Sequence, residues 1–133
     1  IMSSDWSSDV CSSDLDYDIL MYEIHHSNKK DSPSGTALKI GEAILQQINR
    51  KTDITTNRLD RKIKKEELHI GSIRGGSVPG THSVLFDSNA DTIELKHTAR
   101  NRGGFALGAV MAAEWIRDKS GFFTMEDFLN EIL

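Results

Sequence analysis

Apolar positions along the chain fall into short branched runs and longer helical stretches. Tyr17–His25, YDILMYEIH, holds Ile19, Leu20, Met21, Tyr22 and Ile24, the density and brevity of a buried strand. From Ser34 to Asn49 the period changes. Ala37, Ile40, Gly41, Ile44 and Ile48 line one helical stripe, with Leu38 and Leu45 beside it. Ser34, directly after Pro33, suits the N-cap. Arg50–Lys65 is polar, its basic residues outnumbering Asp53 and Asp60, and reads as an exposed excursion. Leu68–Arg74, Thr81–Asp87 and Thr92–Thr98 are three more strands. The short Ser88–Asp91 link predicts that the last two form an antiparallel hairpin. Gly103–Lys119 is a helix whose apolar residues cover nearly its whole circumference, which predicts burial. Gly121 ends it, and Thr124 caps a last short helix with Asp127 at the capping-box position. The pattern predicts an α+β chain: a four-stranded mixed sheet with one flanking helix, then C-terminal helices that want a partner surface.

Composition narrows the class. The chain has 133 residues with a formal charge of −4, 38% hydrophobic and 27% charged, ordinary for a globular domain. No apolar run approaches the ~20 residues of a membrane span, and no signal-peptide pattern is present. The expected setting is cytosolic. The single cysteine, Cys11, supports neither a disulfide framework nor a cysteine-rich zinc site. It lies in IMSSDWSSDVCSSDL, where Ser-Ser-Asp recurs at Ser3, Ser7 and Ser12. Such a stretch has too little apolar surface to offset its ordering entropy. DVCSSDL also resembles the translation of a common sequencing adapter. Residues 1–15 are therefore read as a non-native tail and set aside, with authentic sequence expected upstream of Asp16. Asp5, Asp9, Asp14 and Asp16 account for the whole net charge. The remainder is neutral, so no global field points to nucleic acid or to a membrane surface.

Chemistry concentrates in Glu23–Thr36, EIHHSNKKDSPSGT, which runs from a strand end through a polar loop into a helix N-terminus. His25 and His26 stand where the strand stops, and histidine is the side chain that can give or take a proton near neutrality. Lys29 and Lys30 follow. Ser34-Gly35-Thr36 opens a helix whose free N–H groups make an anion site. Together they suit a small carboxylate held beside a proton donor. Taken singly, each part also fits a plainer role: a packed histidine pair, solvated lysines, an ordinary cap. A zinc site from His25, His26, His69, His82 and His97 lacks paired metal-ligand spacing, and no metal is expected. The basic run Arg50–Lys65 lacks the aromatic interleaving of a nucleic-acid surface.

EIHHSNKKDSPSGTAL resembles the E-x-HH-x-x-K-x-DAPSGTA signature of the 4-hydroxy-tetrahydrodipicolinate (dihydrodipicolinate) reductase family of diaminopimelate and lysine synthesis. The likeness continues through IRGGSVPGTHSVLF and HTARNRGGFALGAV, and covers about residues 17–133. It implies an N-terminal Rossmann domain that binds NADH or NADPH and a C-terminal α+β domain that holds the substrate and builds a homotetramer through its sheet. No G-x-G-x-x-G occurs here, so the chain is expected to be the C-terminal part, with no cofactor-binding residues of its own and no turnover alone. Residues 16–102 would be the substrate-binding and oligomerisation domain. Residues 103–133 would be helices returning to the dinucleotide domain. By the same resemblance His25 is the general acid. Lys29 shares proton donation and contacts a carboxylate of the cyclic dicarboxylate substrate. His26, Ser34, Gly35 and Thr36 bind substrate. Ser32 stands where the signature has alanine. Two rivals remain: a non-catalytic oligomerisation or carboxylate-binding module, and a related dehydrogenase acting on another small carboxylate.

Overall fold

The computed structural model describes residues 17–133. The expected tail at 1–15 lies outside the described residues. The described chain divides into two compact units, one ending at Ala99 and one spanning Arg100–Leu133.

In the first unit the elements are β1 (Asp18–His25), α1 (Gly35–Gln47), β2 (Asp53–Thr55), β3 (Glu67–Arg74), β4 (Thr81–Asp87) and β5 (Thr92–Thr98). The strands form one mixed sheet in the order β2-β3-β1-β4-β5. β1 runs parallel to β3 and antiparallel to β4. The predicted β4–β5 hairpin is present. The expected four strands are corrected to five. β2 lies inside the stretch read as an exposed excursion and pairs in parallel with β3 through Asp53, Ile54 and Thr55. Three residues are too few to show a period. The same stretch holds a buried lysine. Lys51 is 2% exposed, and its ammonium reaches Asp18 Oδ1 at 2.6 Å and the Glu67 carbonyl at 2.9 Å.

Alternation along β1 puts Ile19, Met21, Glu23 and His25 on one buried face and Leu20, Tyr22 and Ile24 on the other. Met21 sits between Ile70 of β3 and Val84 of β4. With Ile19, Leu68 and Ala37 of α1, these residues form the core. α1 approaches the sheet closely. A Cβ at Gly41 would fall 2.9 Å from Ile54 Cδ1 and 3.1 Å from Ile70 Cδ1, so a larger residue would need those side-chain ends to shift. The core occupies one half of the buried face, and the other half is polar.

The second unit holds α2 (Gly103–Ile116) and α3 (Met125–Ile132). Thr124 closes the predicted capping box with Asp127. Phe128 of α3 is buried, with Trp115 of α2 edge-on to it and to Phe123. The burial expected for α2 is absent: none of its residues is buried. Two short helices cannot enclose a surface that is apolar all round.

Candidate active site

The polar half of the buried face is built around Glu23. Glu23 and His25 are two residues apart on β1 and share a face. Strand register brings His82 of β4 opposite Glu23, and Arg74 of β3 opposite His25. Glu23 is fully buried. Its Oε1 accepts from the Ser34 amide at 3.0 Å and from Arg74 Nη2 at 2.5 Å. Its Oε2 lies 2.9 Å from His25 Nδ1 and 3.6 Å from His82 Nε2. Burial would raise the Glu23 pKa. Hydrogen bonds from Ser34 and Arg74 outweigh that and hold it at about 2, so the carboxylate is ionised.

Both histidines are shifted the other way. Burial lowers His25 below its ordinary value. Glu23 pulls it back up, while Lys29, Arg74 and His26 push it down. Burial also lowers His82, and its neighbour His25 adds to the effect. The two rings meet edge to face with centroids 5.1 Å apart.

Ser34 joins this cluster to α1. It is the N-cap, its Oγ accepting from the Ala37 amide at 3.2 Å. The same oxygen lies 3.1 Å from His82 Nε2. Gly35 and Thr36 are exposed at the helix start. The loop between His26 and Ser34 is pinned to the β3–β4 connection by bonds from the His26 amide to the Val78 carbonyl and from the Gly75 amide to the His25 carbonyl. Arg74 also donates to the Asp31 carbonyl at 2.7 Å. Lys29 is half-buried and pairs with Asp31 Oδ1 at 2.7 Å. That pairing lowers the Asp31 pKa, and the Gly35 amide contributes. A carboxylate thus already sits against Lys29 and the helix start.

Of the residues singled out in the sequence, His25 and Ser34 meet through Glu23. Lys29 lies on the loop between them. His26 is half-exposed beside His25, and Gly35 and Thr36 open outward. His69 sits on β3 beside β2, away from the cluster, and His97 is exposed opposite His82. Pattern reading missed the partnership of Glu23, Arg74 and His82. The spacing of Glu23 and His25 was a usable signal. The other two join only through strand register. Glu23, His25 and His82 also bring three donor atoms within 4.8 Å of one another, a possible metal-ligand set. The guanidinium already on Glu23 places a fixed positive charge against any added cation.

Residues 7–129 match the family described as Dihydrodipicolinate reductase, C-terminus. The chain belongs to this family. Among its dihydrodipicolinate reductase relatives, the 4-hydroxy-tetrahydrodipicolinate reductase of Christiangramia forsetii is 45% identical over 117 residues, covering 88% of this chain and 47% of that protein. The enzyme of the same name from Archaeoglobus fulgidus is 45% identical over 120 residues, with 86% and 47% covered. The chain therefore spans about half the length of the curated relatives it matches. A solved structure, dipicolinate-bound dihydrodipicolinate reductase from Paenisporosarcina sp. TG-14, aligns with a TM-score of 0.56 at 23% identity, covering 76% of this chain and 40% of that one. At that identity the likeness speaks for the fold.

Proposed function

We propose that this chain is the substrate-holding part of a 4-hydroxy-tetrahydrodipicolinate reductase of diaminopimelate and lysine biosynthesis, a cytoplasmic enzyme using NADH or NADPH. The observation that carries the reading is the Glu23 cluster. It fixes a titratable imidazole at a strand end and, through the other carboxylate oxygen, fixes the start of α1 beside it.

The residues present do not fit a dinucleotide. The β1–α1 junction is a long polar loop with no glycine before Gly35, not the tight glycine turn that lets a pyrophosphate approach a helix. The nucleotide, which supplies hydride, is assigned to sequence outside this chain. What remains is carboxylate and proton work. A substrate carboxylate would replace Asp31 at Lys29 and the Gly35 amide, with Thr36 alongside. His26 would flank it. Substrate charge raises the pKa of His25, whose burial otherwise favours the neutral ring. His25, with Lys29 as second donor, then gives the proton to the ring carbon beside the one reduced.

The sheet face opposite α1 suits the homotetramer. Leu20 and Ile73 stand exposed on it, with Tyr22 bonded to Glu94 across the strands. The rival reading, a non-catalytic carboxylate-binding or oligomerisation module, rests on the chain spanning half of its relatives' length.

In a reductase of full family length carrying this chain, His25→Gln is expected to lower kcat by roughly 10²–10⁴-fold. Thr36→Ala is expected mainly to raise KM for the dicarboxylate. Near-normal turnover of the first variant removes His25 from the acid role. For the chain alone, dipicolinate is expected to shift amide resonances at His25–Thr36 without supporting turnover. Shifts elsewhere only would count against the carboxylate site.

A further inference from the structure

We propose that Glu23 is the positioning residue of this site: it holds His25 in the tautomer protonated on Nδ1 and so leaves Nε2 as the nitrogen that takes up and delivers the proton. The consequence for catalysis rests on the function proposed above, whereas the tautomer itself does not.

The two oxygens of Glu23 are divided. Oε1 is taken by the Ser34 amide and Arg74. Oε2 is left to the imidazoles. His82 Nε2 is nearer Ser34 Oγ, at 3.1 Å, than Oε2, at 3.6 Å, and turns to the serine. His25 Nδ1, at 2.9 Å, is the remaining partner. Among the described residues, neither Oε2 nor that Nδ1 makes an aligned hydrogen bond, to the other or to any third group, so the two buried atoms face each other with no competing partner. Catalytic hydrogen bonds in free active sites are often poorly aligned and tighten when the ligand binds. An ionised carboxylate only accepts, so the hydrogen sits on Nδ1.

The opposite ring edge packs against Gly80. A Cβ at Gly80 would fall 3.0 Å from His25 Nε2 and 3.3 Å from Cδ2, so glycine there is what lets Nε2 be approached. Every element packed on the ring contributes a charged or titratable group: Glu23 on β1, His26 and Lys29 in the following loop, Arg74 on β3 and His82 on β4, with His97 of β5 acting on His82. In this set Glu23 alone is negative. It opposes Lys29, Arg74, His26 and the burial that drive His25 toward its neutral form.

The test is imidazole nitrogen-15 spectroscopy of the 133-residue chain across pH, for the wild type and for Glu23→Gln. Wild-type His25 is expected to show the Nδ1-protonated tautomer when neutral. Glu23→Gln is expected to lose that preference and to titrate at lower pH by about one unit or more. Wild-type His25 protonated on Nε2 overturns the proposal, and that result needs no variant to fold. An unchanged tautomer and pKa in Glu23→Gln overturns it as well. In the full-length reductase the alkaline fall of kcat is expected to move to lower pH in Glu23→Gln and to move back in Glu23→Asp. A merely structural role would depress kcat at every pH and leave that limb in place. Full turnover of His25→Gln with the Nδ1 tautomer intact would remove His25 from the acid role and leave Glu23's hold on the ring standing. Loss of turnover with the Nε2 tautomer would do the reverse.

Discussion

Glu23 pays its desolvation cost with four polar neighbours, and that debt shows in acid. Its folded pKa, about 2, lies below its ordinary value of 4.5. A group depressed on folding contributes stability above its unfolded pKa and loses it as pH falls through the folded one. The expected outcome is a stability loss between about pH 4.5 and 2 in urea denaturation. Glu23→Gln should flatten that part of the curve. Gly80 makes the second prediction at this scale. Gly80→Ala puts a methyl on His25 Nε2, so the ring must give by a few tenths of an ångström. Turnover of the full-length enzyme should fall several-fold while the unfolding midpoint stays near wild type. A fall in both together would mean that the contact is a packing one. His25, Lys29 and Ser34 could be picked out of the sequence because titratable and cationic groups sat beside a helix start. Arg74 and His82 could not. Each lies about fifty residues from its partner, and a strand's period says which face a residue takes but not which strand lies next to it.

Elements were legible in proportion to their length. β4 and β5 begin and end where alternation and the Ser88–Asp91 turn put them, and α1 starts at the expected serine cap. β2 was invisible because Asp-Ile-Thr in a basic stretch gives no period, and its place comes from Ile54 packing beneath Gly41. Lys51 escaped notice for a related reason: charge normally marks surface, but this ammonium is tied between two strands. Asp18→Ala should leave it buried with one carbonyl and cost about 3 kcal/mol. Adding Lys51→Met should return much of that loss. Urea denaturation of the single and double variants checks both, and a harmless Asp18→Ala would show that water reaches the ammonium.

Across the whole molecule, the sheet's first strand in sequence lies in its middle. β1 is flanked by β3 and β4, both reached only after α1 and β2 have been synthesised. Met21 finds Ile70 and Val84 about fifty and sixty residues later, separations that slow folding. Of the sheet's pairings, β2–β3 and β4–β5 join strands consecutive in sequence, and only β4–β5 is a tight hairpin. A nascent chain leaving the ribosome therefore carries β1 without its first partner until Arg74 has emerged, and without its second until Asp87 has. The same wait applies to the imidazole at its end, because the arginine and second histidine of its cluster arrive with β3 and β4. Until then Glu23 is a solvated glutamate, so the chemistry of this site comes into being only once β3 and β4 have docked on β1.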